Sequence, residues 1–193
     1  CCGSTHGAID CALALHHEFA PNLADVAKID ILTDPKRLPH TDNPNPISGL
    51  GAKFSIQYVV ARALIDGAVR LGDFEGAAYD DRDARDLMAK ISACVHPDMD
   101  DPDMDTYAAE VKIILNDGRE LSHRSGDDVL RGPNRPMEKV ALFAKFADCT
   151  QRQLSAEATR PLYEMLLQLE TLPRLCSVTD FLAAIEPSCT KAA

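Results

Sequence analysis

No stretch of this sequence stays apolar for the roughly 18 residues that a membrane-spanning helix needs, so a bilayer-embedded fold is not expected. No charged-then-apolar leader opens it either, so a secretory signal is not expected. No two cysteines stand at C-x-x-C spacing, which weighs against zinc ribbons and iron–sulfur sites. Clustered Lys and Arg are missing as well. The 20 basic residues are scattered among 30 acidic ones, and the formal net charge is −10. Nucleic acid needs grouped cations to displace its counterions and is not an expected partner. Internal repeats and low-complexity tracts are absent.

What is present is enough for an ordinary globular core. The chain has 193 residues, 46% of them hydrophobic, which argues against disorder. Seven cysteines, at positions 1, 2, 11, 94, 149, 176 and 189, are odd in number and dispersed. They do not form a disulfide framework and read as reduced thiols, which points to a cytoplasmic location. The chain begins at Cys1 rather than at Met, and further sequence is expected upstream.

Periodicity predicts a helix over 5–19, with Thr5 as its cap and Ile9, Leu13 and His16 along one face. Pro21 ends it. Ile29 and Ile31 alternate with Lys28 and Asp30, which predicts a strand over 26–33. Residues 34–51, rich in Asn-Pro and glycine, read as a long loop carrying Lys36, Arg37 and His40; such loops are often functional. A helix over 52–69 follows, with Phe54, Tyr58, Ala61 and Ile65 facing the core. A short charged helix is expected over 80–91 and a strand over 91–95. Residues 97–105 form an acidic loop. Strands over 107–116 and 119–124 are joined by a tight turn at Asp117-Gly118. Another loop spans Gly132 to Pro136. Helices over 138–150, 155–170 and 177–185 close the chain.

The expected fold class is therefore α+β. A small mixed domain over 1–135, with packed helices and a sheet containing a β-hairpin, is followed by a helical tail over 136–193.

The opening segment, Cys1 to Asp10, surrounds one imidazole with small residues at a predicted helix start. Gly3 and Gly7 permit close approach of backbone or ligand. Helix-start N–H groups attract anions, and histidine is the side chain suited to acid–base work near neutral pH. His6 is accordingly the candidate general acid or base, against the simpler reading that it only caps the helix. Cys1, Cys2 and His6 offer three metal donors with no acidic residue near in sequence, so buried thiols are the better reading and no metal is expected. The run Asp98, Asp100, Asp101, Asp103, Asp105 lacks the glycine and the twelfth-position glutamate of a calcium loop, where Ala109 stands. His16 and His17 face different ways on a helix and make a poor metal pair.

Three segments resemble the MmgE/PrpD family. Residues 1–10 are similar to its C-C-x-x-T-H-x-A-I-D stretch. Ala52-Lys53-Phe54-Ser55-Ile56-Gln57-Tyr58, with Ala61, Leu64 and Gly67, is similar to A-K-F-S-x-x-Y-x-x-A-x-x-L-x-x-G. Asp117-Gly118, then Gly132, Pro133 and Pro136, then Lys145-Phe146, match a third and looser pattern. The three keep their order over residues 1–146.

The resemblance implies a two-domain enzyme in which this chain is the carboxyl-terminal portion. The helical tail would complete an all-helical domain whose main part lies elsewhere. It also implies a homodimer and an active site between the domains, with no cofactor. Members include 2-methylcitrate dehydratase, cis-aconitate decarboxylase and iminodisuccinate epimerase, which all act on a carbon beside a carboxylate.

The implied chemistry is removal of a proton there, stabilisation of the resulting charge, and protonation elsewhere. His6 suits the acid–base role. Lys53 and Ser55 suit binding of one carboxylate, although a solvated helix-end lysine is the bland alternative for Lys53. Lys36 and Arg37 could clamp a second carboxylate, Arg37 in bidentate fashion, although solvated surface cations are the simpler reading for both. The expectation is a lyase of the dehydratase type or an isomerase acting on a small di- or tricarboxylate. The rival expectations are an α+β fragment with no turnover of its own and an unrelated interaction module.

Overall fold

The computed structural model describes residues 1–101, 106–126 and 136–185. The end of the expected acidic loop and nearly all of the expected loop at Gly132 to Pro136 lie outside the described residues. The chain divides into two compact units, Cys1–Pro136 and Met137–Ala193.

In the first unit, strand β1 (Val26–Thr33) alternates as its side chains predict, with Ile29 and Ile31 fully buried. It lies inside a four-stranded sheet, with a strand on either side. Strand β2 (Ile91–Val95) runs parallel to β1, with Ile29 opposite Ile91. Strand β3 (Ala109–Leu115) runs antiparallel to β1, with Ile29 opposite Ile113. Strand β4 (Glu120–Arg124) pairs with β3 as a hairpin, whose turn places Gly118 at φ +86°, a conformation glycine adopts without steric cost. Val111, Ile113 and Leu115 continue the buried face of β1.

Helix α1 (His6–Phe19) packs on β3 and β4 through Ala8, Cys11, Ala12 and Leu15. Thr5 does not cap it through its side chain. Its hydroxyl instead donates back to the Cys2 carbonyl at 2.8 Å, closing the turn before the helix.

The helix expected over 52–69 is two helices. Helix α3 (Gly49–Lys53) ends at Phe54, and α4 (Ile56–Asp66) begins after Ser55. Ser55 is extended, and its hydroxyl accepts the Tyr58 N–H at 3.1 Å, so a new cap restarts the helix. The break changes the phase of the apolar face. Tyr58 and Ala61 are fully buried, whereas Phe54 is 42% exposed and is not core. Helix α4 is buried almost all round, the pattern of an interior helix.

The segment expected as loop over 34–51 contains α2 (Leu38–Thr41) as well as the start of α3. The charged helix is shorter than expected: α5 (Arg82–Met88), capped by the Asp81 carboxylate, follows a single 3₁₀ turn at Ala78–Asp80.

The second unit holds α6 (Lys139–Thr150), α7 (Ala156–Leu167) and α8 (Cys176–Ala184). Phe143 and Phe146 stack against Tyr163 with ring centroids 5.1 and 5.2 Å away. Thr159, Leu162 and Tyr163 are buried, while Val140, Leu142, Leu167 and Leu175 are exposed. Among the described residues no helix is long and apolar enough to cross a membrane.

Candidate active site

The segment that carries His6 meets the end of α3 through the main chain. The Cys2 N–H donates to the Lys53 carbonyl at 2.9 Å. A 3₁₀ turn over Gly3–Thr5 then leads into α1, whose first residue is the half-buried His6. The next residue presses on a third segment. A Cβ built at Gly7 would stand 2.1 Å from the Tyr107 carbonyl oxygen, so only glycine lets α1 start this close to the approach to β3.

Helix α2 joins the same neighbourhood. His40 Nε2 and Ser4 Oγ are 3.0 Å apart, two residues before His6. Arg37, at the start of α2, donates from Nε to the Thr106 carbonyl at 3.2 Å. Its guanidinium carbon lies 4.0 Å from the centre of the Tyr107 ring, which adds a cation–π contact. The Asp34 carboxylate accepts the Lys36 N–H at 2.7 Å and the Thr106 N–H at 3.0 Å. The Lys36 side chain is exposed.

Lys53 is the last residue of α3, and its ammonium lies 5.9 Å from the centre of the Phe74 ring. The Phe74 carbonyl would be 2.0 Å from a Cβ at Gly49, so α3 rests directly on the Phe74 backbone. That backbone is latched to α4. The Tyr58 hydroxyl is within bonding reach of the Asp73 and Ala78 carbonyls, and Arg62 pairs with Asp66, Asp73 and Asp81. Burial pushes the Tyr58 hydroxyl up to about 12, which keeps it a donor.

Residues 1–171 match the MmgE/PrpD C-terminal domain. The chain belongs to the MmgE/PrpD family. It is 29% identical over 180 residues to cis-aconitate decarboxylase of Mus musculus, an alignment covering 91% of this chain and 36% of that protein. It is 26% identical over 189 residues to cis-aconitate decarboxylase of Homo sapiens, covering 95% and 38%. Cis-aconitate decarboxylase of Aspergillus terreus is 21% identical over 194 residues, covering 94% and 39%. The chain thus spans little more than a third of the length of the curated relatives it matches.

Within this MmgE/PrpD domain, contacts link the segment bearing His6 to Lys53, to α2 with its His40, and to the approach to β3, on which Arg37 stacks. Ser55 is different. It is fully buried, accepts the Tyr58 N–H and donates to the Asn43 carbonyl at 2.6 Å, so its hydroxyl serves the fold.

Three features of this MmgE/PrpD domain were not singled out by sequence pattern. Tyr107 lies next to a stretch that reads simply as acidic loop. Asp34 reads as a turn former, and its second bond, to Thr106, has no local signature. His96 is buried and bridges Asp98 and Glu110. Its Nδ1 accepts the Asp98 N–H at 3.0 Å, and its Nε2 lies 3.0 Å from the Glu110 carboxylate. That pattern fits the tautomer protonated at Nε2, tying the end of β2 to β3. Its only sequence signal is a His-Pro-Asp at a strand end.

Proposed function

We propose that this domain forms one wall of an active site that acts, without a cofactor, on a carbon next to a carboxylate in a small di- or tricarboxylic acid. The observation that supports it is the meeting of three distant segments around the start of α1: Cys2 bonded to Lys53, Ser4 bonded to His40, and Gly7 resting on Tyr107 beneath Arg37. Acid–base and cationic groups drawn from separate elements are what such chemistry needs.

In this reading Lys53 and Arg37 hold carboxylates, with Lys36 adding charge at the rim, and Ser55 acts by setting where α3 stops. His6 is the acid–base group. The resemblance to cis-aconitate decarboxylases favours decarboxylation over dehydration of a 2-methylcitrate-like substrate or epimerisation of an iminodisuccinate-like one. In a decarboxylation the bond to one carboxylate breaks and carbon dioxide leaves. The electron pair shifts into the remaining carbon skeleton, and protonated His6 delivers its proton to carbon. In this reading the catalytic unit also includes an amino-terminal helical domain and assembles as a homodimer in the cytoplasm, and the isolated chain is inactive.

The test uses the full-length protein with a panel of di- and tricarboxylates in deuterated water, read by mass spectrometry. Deuterium bound to carbon beside a carboxylate, with loss of carbon dioxide, is the expected result. His6→Ala should lower turnover by about 10²–10⁴-fold with the circular dichroism spectrum unchanged. Loss of water rather than carbon dioxide would select dehydration. Unaltered turnover in His6→Ala would remove that imidazole from the mechanism.

A further inference from the structure

We infer that Asp34 is a positioning residue that fixes Arg37 for carboxylate binding by tying two distant stretches of backbone to one buried carboxylate. This rests on the carboxylate-binding role given to Arg37 above.

Asp34 directly follows β1 and is fully buried. Its two oxygens face different partners. Oδ1 accepts the Lys36 N–H at 2.7 Å, and Oδ2 accepts the Thr106 N–H at 3.0 Å. Its main-chain carbonyl accepts the Arg37 N–H at 2.9 Å. Arg37 in turn grips the same far stretch, through Nε to the Thr106 carbonyl and through its stack on Tyr107. That stretch is itself held. The Thr33 hydroxyl donates to the Ala108 carbonyl at 3.1 Å, and the Thr106 hydroxyl accepts the Ala108 N–H at 3.0 Å.

Closing the 34–37 turn needs one acceptor, which Asn or Ser supplies as well. Burying a charge for that purpose alone would be a net cost. The second oxygen accounts for the choice, because it reaches across to Thr106 with a charge-assisted bond. The result is a guanidinium plane set by a ring beneath it and a carbonyl beside it, on a turn that cannot drift from either. A fork fixed in advance loses less freedom when it meets a planar anion.

The test compares full-length Asp34→Asn, Arg37→Ala and the double variant with the wild type. Asp34→Asn keeps one acceptor and points an amide N–H₂ at the other donor. The expected result is KM for the carboxylate substrate raised about tenfold, with kcat changed far less. The double variant should have the KM of Arg37→Ala alone, since the two changes remove one effect. A folded Asp34→Asn protein with unchanged KM and only a lower Tm makes Asp34 merely structural and overturns the inference. Additive effects in the double variant overturn it equally. Unchanged KM in Arg37→Ala instead sinks the anion-binding role of Arg37, and this inference with it.

If Asp34→Asn does not fold, Asp34→Ser replaces it. That change keeps an acceptor for the Lys36 N–H and removes the reach to Thr106. Its KM should exceed that of the wild type with kcat changed far less, and an unchanged KM in the folded variant would overturn the inference.

Discussion

The backbone N–H of Cys2 donates to the backbone carbonyl of Lys53, so the stretch leading to the candidate acid–base residue is fastened to the residue that carries the candidate carboxylate ligand. The bond uses no side-chain atom of either residue. Truncating the lysine therefore tests its charge without untying the site. In the full-length protein, Lys53→Ala should cost less than about 1 kcal/mol of stability, as for a partly exposed helix-end residue. It should raise KM for a dicarboxylate by about tenfold or more, the loss expected for one charged hydrogen bond. Denaturant titration and steady-state kinetics check the two halves. A large stability loss with unchanged KM would make Lys53 a structural residue.

Gly7 makes the sharpest steric demand near the site, because its missing Cβ would sit 2.1 Å from a backbone oxygen of Tyr107. Backbone cannot swing aside as a side chain does. Gly7→Ala should destabilise the fold by about 2–4 kcal/mol, in the upper range for single substitutions. Gly3→Ala, with no atom within 4 Å of the built Cβ, is the control and should be near neutral. Thermal or chemical denaturation of the two variants decides it.

Phe54 and Tyr58 share the expected helical face, yet they should respond very differently to truncation. Phe54 is half-exposed beyond the helix break, and Phe54→Ala should cost about 1 kcal/mol or less. Tyr58→Phe removes only one oxygen, but that oxygen serves the Asp73 and Ala78 carbonyls. The Ala78 carbonyl keeps the Asp81 N–H, but leaving the buried Asp73 carbonyl without its donor should cost about 1–3 kcal/mol. The ranking in urea midpoints, with the smaller chemical change being the more harmful, is the measurement.

Cys11 supplies a pH signature. Burial pushes its thiol up from 9.0 to about 11, and the thiol donates to the Ala109 carbonyl at 3.2 Å. The folded state thus favours the protonated form. That contribution to stability is fully present below pH 9 and is lost as pH rises through about 11, because the unfolded chain releases its proton first. The stability gap between wild type and Cys11→Ala should narrow between these values. A gap constant from pH 8 to 11 would show that the thiol ionises alike in both states.

Much of the scaffold could be read from residue order, because its signals are local. The alternation in β1, the Asp117-Gly118 turn and the apolar stripe of α1 each depend on neighbours within a few positions. The break at Phe54-Ser55 was not visible, since Ser55 suits a helix interior poorly but is not forbidden there. Its capping role follows from the Asn43 carbonyl, which comes from another segment to accept its hydroxyl proton. The candidate site divides in the same way. His6 and Lys53 stand out through short motifs, whereas Asp34 and Tyr107 gain their places from contacts where the end of β1 meets the start of β3. Pairings at such separations leave no periodic trace.

The placement of β1 in the middle of its sheet has a consequence for biosynthesis. As the chain leaves the ribosome, Ile29 emerges long before Ile91 and Ile113, which will flank it. Until then the strand offers two unpaired hydrogen-bonding edges, an invitation to association between nascent chains. Such long-range pairing also folds slowly. Helix α1, although already made, packs on β3 and β4 in the finished fold and cannot satisfy these edges, so productive expression should depend on chaperones that bind during translation.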